Sequence, residues 1–191
     1  MITTAAALRR RLERELALLA IDTRLIEFRL AHGTRVETRT AAASDVDTRN
    51  RTITVIAVPY EAPTQVVWRS EIWTEVFSRG AFTGVEPQAG RIRVNRDHDK
   101  SRTVGKVVRF DPNARAGLIA DIRIAPTLLG DETLALAADD CLSASVGFAV
   151  PTGGARADKR TMTRRINTAI LDHIALVESP AYAGASVQGV A

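Results

Sequence analysis

The stretch TVGKVVRFDPNARAGLIADIRIA (Thr103–Ala125) holds two runs of β-prone residues on either side of the turn sequence PNARAG. Valine, isoleucine and phenylalanine favour extended backbone, whereas proline, asparagine and glycine favour turns. The stretch therefore predicts a β-hairpin. The same texture, short β-prone runs broken by turn residues, continues over most of the chain.

Five more runs of this kind predict strands. They are TITVIAVPY (Thr52–Tyr60), VVWRSEIWTEVF (Val66–Phe77), RIRVN (Arg91–Asn95), LSASVGFAV (Leu142–Val150) and INTAILDHIALV (Ile166–Val177). The polar stretch Thr152–Lys159 predicts a mobile loop between the last two. GDETLALAADD (Gly130–Asp140) predicts a helix, whose acidic first turn suits the helix dipole. Many short strands with few helices predict a mainly β protein with flanking helices, folded as a small closed or nearly closed β-barrel.

The N-terminal segment has a different composition. From Ala5 to about Leu30 it is rich in alanine, leucine, arginine and glutamate and contains neither glycine nor proline. These features predict a helix that ends at Gly33 as its C-cap. We therefore expect three parts: an N-terminal helical arm (1–33), a β domain (34–185) and a C-terminal tail (186–191).

Composition bounds the class of protein. A chain of 191 residues with 46% hydrophobic and 25% charged residues is typical of a soluble globular domain with an appendage. Its single cysteine, Cys141, excludes an internal disulfide and a cysteine-rich zinc site. No apolar run approaches the ~20 residues of a membrane span, and the N-terminus is too charged for a secretory signal. We therefore expect a cytoplasmic protein without a membrane partner.

The net charge of +4 and the pI of 9.8 would suit a nucleic-acid-binding protein. However, the arginines are scattered along the chain, and aromatic residues make up only 5% of it. Because base stacking needs aromatic side chains, the composition does not favour direct binding of nucleic acid.

The segment LSASVGFAV would alternate between two faces in a strand. One face is apolar and suits a core. The other, extended by the preceding residue, holds only small side chains: Cys141, Ser143, Ser145, Gly147 and Ala149. A glycine at such a position indicates that another group approaches closely. Either serine becomes a nucleophile only if a base lies within hydrogen-bond reach; without one, both are ordinary serines of a packed strand.

Three histidines could supply that base. His32 follows the N-terminal helix, where the helix dipole favours it, so we expect a structural role. His98 lies in the polar loop that follows Arg91–Asn95, and His173 lies inside an apolar strand. A base also needs a third group that orients its ring. His173 could do this for His98 through a ring nitrogen, or Asp172 could do it as a carboxylate, although strict alternation puts Asp172 on the opposite face.

Two other chemistries are open to these residues. His98 with Asp97 and Asp99 could bind a metal ion, but adjacent residues of an extended chain point opposite ways and would not converge on one ion. Cys141 could be a nucleophile on the same strand face as Ser145. It would lie about 13 Å from Ser145 at ~3.3 Å per residue, so His98 could not serve both.

Six segments, in order, resemble the prohead (capsid maturation) proteases of tailed bacteriophages, a group related to the herpesvirus assembly proteases. The segments are VETRTAAASDVDTRNRTITVIAVPYEAP (Val36–Pro63), EVFSRGAF (Glu75–Phe82), VNRDHD (Val94–Asp99), AGLIADIRIAPTLLGDE (Ala116–Glu132), LSASVGFAV (Leu142–Val150) and LDHIALVESPAYAGA (Leu171–Ala185). Together they span roughly Val36 to Ala185.

The resemblance implies roles for particular residues. The histidine of the family's HD motif is His98, the general base, and the serine of its SvGF motif is Ser145, the nucleophile, rather than Ser143. The family's usual glutamate falls on His173, so that the set would be Ser–His–His, as in the herpesvirus enzymes. Asp172 is the alternative third member. The resemblance also implies a barrel of the assembly-protease type that uses no cofactor and no metal.

The implied function is a serine endopeptidase that works inside the assembling procapsid, in the host cytoplasm. Its substrates would be a scaffold protein, or the scaffold-like N-terminal part of the major capsid protein, and the enzyme itself. A homo-oligomeric state is compatible with these features. The alternative is a catalytically inactive scaffold or capsid-assembly protein of the same fold. His173 in place of glutamate and the long N-terminal helix favour this alternative, whereas the presence of both His98 and Ser145 favours the enzyme.

Overall fold

The computed structural model describes the backbone of residues 36–178 and the side chains from Asp45 onward. The predicted helical arm (1–33), which includes His32, and the predicted tail (186–191) lie outside the described residues. Among the described residues, no helix combines the length and the apolar character that crossing a membrane requires.

Seven strands form one curled sheet. They are β1 (Val36–Asp47), β2 (Thr52–Pro59), β5 (Arg93–Arg96), β6 (Asp99–Asp111), β7 (Gly117–Ile124), β8 (Ser143–Ala149) and β11 (Ile170–Val177). Their order in the sheet is β1-β2-β7-β6-β5-β11-β8. β8 is antiparallel to β11 on one side and to β1 on the other, and β11 is parallel to β5.

A second, smaller sheet has the order β3-β4-β10-β9. Its strands are β3 (Thr64–Trp68), β4 (Glu71–Phe77), β9 (Ala155–Asp158) and β10 (Thr163–Ile166). A short 3₁₀ helix spans Glu86–Gln88, and an α-helix, α1 (Leu128–Ala138), packs against β6 and β1. The side chain of Thr127 caps α1 by accepting a hydrogen bond from the Gly130 N–H at 3.1 Å, which is why the helix begins before the predicted Gly130.

The core lies along one face of the curled sheet and takes residues from most of its strands. Its fully buried members include Ile53 and Val55 of β2, Ile122 and Ile124 of β7, Val146 and Phe148 of β8, and Ile174 and Leu176 of β11. Each such side chain contributes roughly 1.5–3 kcal/mol on burial. β8 is buried along its whole length, so its small-residue face is also covered.

The mainly β architecture and the Thr103–Ala125 hairpin are confirmed, since β6 and β7 pair across the predicted turn. The prediction of one strand over Val66–Phe77 is wrong. Arg69 and Ser70 adopt φ values of 52° and 65°. Two successive residues in this region reverse the chain between neighbouring strands, so the segment forms the hairpin of β3 and β4.

Two further predictions need correction in the C-terminal third. The stretch Ile166–Val177 is divided between the two sheets, because the Gly154 carbonyl accepts hydrogen bonds from the N–H groups of Asn167 and Thr168 and interrupts the strand there. The predicted mobile loop Thr152–Lys159 contains β9, which pairs with β10 at the edge of the small sheet. The backbone partner stabilises a strand that the polar composition of this stretch did not indicate.

Candidate active site

Ser145, His98 and His173 come from three separate parts of the chain and meet at one point. The Ser145 Oγ lies 2.7 Å from Nε2 of His98. The Nδ1 of His98 lies 2.7 Å from Nε2 of His173. Both distances are within the range of a strong hydrogen bond, so the three side chains form a continuous chain of polar contacts.

Gly147 makes room for the ring of His173. In the antiparallel pairing of β8 with β11, Gly147 lies opposite His173 and Ser145 opposite Ala175. A Cβ at position 147 would lie 2.5 Å from Nδ1 and 3.0 Å from Nε2 of His173, and closer still to Cε1. The sequence predicted a close approach to this small-residue face, and the group that approaches is the imidazole of His173.

A tight turn between β5 and β6 carries His98. Arg96 pairs with Asp99 across this hairpin, so that Asp97 and His98 are the two central turn residues, with φ values of 56° and 60°. Two-residue turns of this hand suit the twist of the strands but usually contain glycine. A histidine in this conformation costs about 1 kcal/mol or more. The histidine that contacts Ser145 is therefore held in a strained backbone conformation.

Asp172 lies beside His173, not across the strand from it. Strict alternation had predicted opposite faces, and that expectation is wrong. The β11–β8 register shifts between Leu171 and His173, and a bulge of this kind redirects the side chain of the extra residue. As a result, Asp172 Oδ2 lies 2.7 Å from Nδ1 of His173, and Lys100 Nζ lies 3.4 Å from the same oxygen.

These contacts determine where the ring protons lie. An ionised carboxylate only accepts hydrogen bonds, so Nδ1–H of His173 donates to Asp172. The Nε2 of a neutral His173 is then an acceptor, and Nδ1–H of His98 donates to it. This leaves Nε2 of His98 free of a proton and able to accept the hydrogen bond of the Ser145 hydroxyl.

The electrostatic environment favours these protonation states at neutral pH. Burial, the largest cause, and the neighbouring His173 together lower the pKa of His98 to about 4, although Asp97 acts in the opposite direction. Burial alone would raise the pKa of Asp172, but the hydrogen bond from His173 and the charge of Lys100 outweigh it and hold that pKa below its usual value. His98 is therefore neutral, and Asp172 is ionised.

The centre is largely removed from solvent. Ser145 is 2% and His173 is 6% exposed, and His98 is half-buried. Charges that develop in such a site interact more strongly than they would in water. The arrangement can therefore take a proton from the Ser145 hydroxyl, as general-base activation of a serine requires.

The other candidate residues have different contacts. Cys141 precedes β8, is exposed, and its thiol donates to the Asp139 carbonyl at 3.4 Å. The carboxylates beside His98 are also engaged, since Asp97 accepts from Arg102 at 2.8 Å and Asp99 accepts from the hydroxyl of Ser101 at 2.6 Å. In the described part of the chain, no three histidine, cysteine or acidic side chains converge in a way that could hold a metal ion.

Arg164 and Arg165, which precede His173 in the sequence, lie on β10 of the small sheet. Arg164 forms a buried ion pair with Glu75 at 2.8 Å, and Arg165 pairs with Glu61 at 2.7 Å. Both guanidinium groups are thus engaged with carboxylates of that sheet.

Comparisons with known proteins concern the family and the fold of the chain. The family model of the caudovirus prohead serine proteases matches residues 36–191. Among solved structures, the chain is similar to the capsid assembly protease gp21 of bacteriophage T4, with 12% sequence identity and a TM-score of 0.56. That alignment covers 77% of this chain and 99% of the T4 protein, and at this identity it shows a shared fold. A search of curated protein sequences finds no match.

Proposed function

The chain belongs to the caudovirus prohead serine proteases, and we propose that it is an active serine endopeptidase of capsid maturation, with Ser145 as nucleophile and His98 as general base. The observation that carries this proposal is the 2.7 Å contact between Ser145 Oγ and Nε2 of His98. In the tautomer that the Asp172 and His173 contacts favour, this nitrogen bears no proton. A serine hydroxyl needs a base in this position before it can attack a carbonyl.

The reaction is acyl transfer in two steps. As Ser145 Oγ attacks the carbonyl carbon of a peptide bond, its proton moves to Nε2 of His98. The imidazolium of His98 then gives this proton to the leaving amine, and the C–N bond breaks. A water molecule, activated by His98 in the same way, attacks the acyl-enzyme and restores the free serine.

His173 and Asp172 act as positioning residues. Nε2 of His173 accepts from Nδ1–H of His98 at 2.7 Å, which fixes the orientation and the tautomer of the base. Asp172 holds His173 in the tautomer that makes this possible. The set is therefore Ser–His–His with a carboxylate behind it, so that Asp172 supports His173 and does not replace it.

The family supports the assignment of substrates and location. We infer that the enzyme cleaves the scaffold protein, or the scaffold-like N-terminal part of the major capsid protein, and also cleaves itself. It would act within the assembling procapsid in the host cytoplasm. We also infer that the curled sheet is the barrel of an assembly protease, which the pairing of β8 with both β11 and β1 supports. This protease domain would span 34–185, between an N-terminal arm (1–33) and a C-terminal tail (186–191).

Co-expression with the cognate capsid protein tests the proposal. Wild type, Ser145→Ala and His98→Ala are each co-expressed, and the intact masses of both proteins are measured. We expect trimmed chains only with the wild type. Ser143→Ala is the matched control, since it removes a hydroxyl from the same strand face two residues away, and it should cleave like the wild type.

A second assay does not depend on the substrate. A fluorophosphonate reagent forms an Oγ–P bond with an activated serine as the P–F bond breaks, and the hydroxyl proton moves to His98. Wild type should be labelled at Ser145, and His98→Ala should not. If the wild type is neither labelled nor able to trim the capsid protein, yet still assembles with it, the inactive scaffold reading replaces this proposal.

A further inference from the structure

Three cations lie side by side across the main sheet. Arg93 of β5 pairs directly with Lys106 of β6, and Lys106 pairs directly with Arg123 of β7. All three side chains are exposed. Directly opposed residues of neighbouring strands point to the same side, and like charges in this arrangement destabilise a sheet. We call these three residues the basic row.

Nearby carboxylates do not neutralise the basic row. Asp121, two residues before Arg123 on β7, accepts a hydrogen bond from Arg109 at 2.6 Å. Asp131, in the first turn of α1, pairs with Arg51 at 2.7 Å. Within residues 45–178, no acidic side chain forms an ion pair with any member of the row. Among the described side chains, the row is therefore a patch of positive charge without an ion-pair partner.

The strand register relates this patch to the nucleophile. Ser145 pairs with Ala175, and Ala175 pairs with Asn95, which lies two residues after Arg93 on β5. With strands ~4.8 Å apart and ~3.3 Å per residue, the Cα of Arg93 lies about 12 Å from that of Ser145. Arg123, at the far end of the row, lies about 20 Å from Ser145 when the distance is measured along the sheet with the same spacings.

We propose that the basic row binds an acidic, extended segment of the substrate polypeptide outside the cleavage site. This inference rests on the proposed function for the identity of the substrate. At ~3.3 Å per extended residue, distances of about 12–20 Å correspond to acidic residues about four to six positions from the scissile bond. Exposed charges of this kind select partners and speed association more than they add affinity. The row carries no aromatic side chain for base stacking, which favours an acidic peptide over single-stranded nucleic acid.

The test measures binding and not cleavage. A fluorescein-labelled decapeptide of alternating glutamate and serine is titrated with the full chain, and its anisotropy is followed at low and moderate salt. The matched probe has glutamine in place of glutamate. The triple variant Arg93→Gln/Lys106→Gln/Arg123→Gln should bind the glutamate peptide about tenfold more weakly and with less dependence on salt.

The control variant is Arg156→Gln/Lys159→Gln/Arg160→Gln, which removes three exposed cations on and after β9. It should bind the glutamate peptide within about twofold of the wild type. Because the row variant relieves repulsion between like charges, its thermal midpoint should equal or exceed that of the wild type. A loss of binding then cannot be ascribed to unfolding.

Three results would overturn the inference. These are equal binding by the row variant and wild type, equal losses in the row and control variants, or binding of a DNA duplex through the row in preference to the glutamate peptide. Each is independent of the cleavage assay. If the protein cleaves its substrate but the row does not contribute to binding, only this inference fails. If the row binds the peptide but the protein does not cleave, the proposed enzymatic function fails instead.

Discussion

Replacement of Gly147 by alanine should inactivate the enzyme through a single methyl group. Gly147 does not have a positive φ, so its backbone accepts alanine without strain. The new Cβ, however, would lie 2.5 Å from Nδ1 and 3.0 Å from Nε2 of His173. Ordinary contacts between such atoms require about 3.5 Å, so the imidazole must move by about 1 Å.

That displacement breaks the contact on which the base depends. The distance of 2.7 Å between Nε2 of His173 and Nδ1 of His98 would grow to as much as about 3.7 Å, which is too long for a hydrogen bond. A misplacement of about 1 Å in a catalytic array costs on the order of 100-fold in rate. The extra methyl group should also lower the free energy of unfolding by about 1–3 kcal/mol, as overpacking usually does.

The rate of fluorophosphonate labelling at Ser145 measures the effect without a substrate. We expect Gly147→Ala to be labelled about 100-fold more slowly than the wild type, at a temperature well below its thermal midpoint. The matched control is Ser143→Ala, a change on the same strand face that introduces no close contact and should label like the wild type. Proton NMR provides a second readout, since the downfield signal of the His98 Nδ1 proton should disappear in Gly147→Ala.

A labelling rate within twofold of the wild type would refute this reasoning. It would mean either that the strands separate to accommodate the methyl group at little cost, or that His173 does not orient His98. The downfield NMR signal separates the two cases. It persists in Gly147→Ala if the strands separate, whereas it need not be present even in the wild type if His173 does not orient His98.

Four further predictions concern the site and its surroundings. Asp172→Asn should slow labelling about 10- to 100-fold, because an amide can donate to Nδ1 of His173 and favour the wrong tautomer; an unchanged pH–rate profile with wild-type rates would contradict the role of Asp172. The labelling rate should rise as pH increases through about 4, where His98 loses its proton. A midpoint near 6.5 would show that burial does not lower the pKa of His98. The free energy of unfolding should also decrease as pH falls from 6.5 toward about 4. In this range His98 takes up a proton in the unfolded chain but not yet in the folded one. Glu75→Gln should lower the free energy of unfolding in urea by about 3 kcal/mol, because it removes the carboxylate that pairs with buried Arg164. It should not change the labelling rate at Ser145. A variant as stable as the wild type would contradict the importance of this ion pair.

Turn chemistry and residue type were enough to predict most strands of the main sheet. The Thr103–Ala125 hairpin is an example, since its β-prone runs and its turn are local features of the chain. The predictions that failed concern how strands end and which sheet they join. Arg69 and Ser70 give no compositional sign of a turn, and β9 depends on a partner strand for its hydrogen bonds. Neither feature can be derived from a window of neighbouring residues.

The candidate site was likewise predictable from the sequence only in part. The motifs around His98 and Ser145 singled out both residues, and the small-residue face of β8 predicted that a group would approach Gly147 closely. The identity of that group, His173, depends on the pairing of β8 with β11. The bulge that brings Asp172 to the same side is likewise a property of two paired strands.

The amino-acid sequence by itself determined the class of fold, the strands and the residue types able to activate a serine, because these depend on side chains and their near neighbours. Only the tertiary structure decided that His98 meets Ser145, 47 residues away, and His173, 75 residues away. It alone aligned Arg93, Lys106 and Arg123 in one row. The physical reason is that strand order and register are set by the burial of the whole core, and a shift of one residue would turn each of these side chains to the other face.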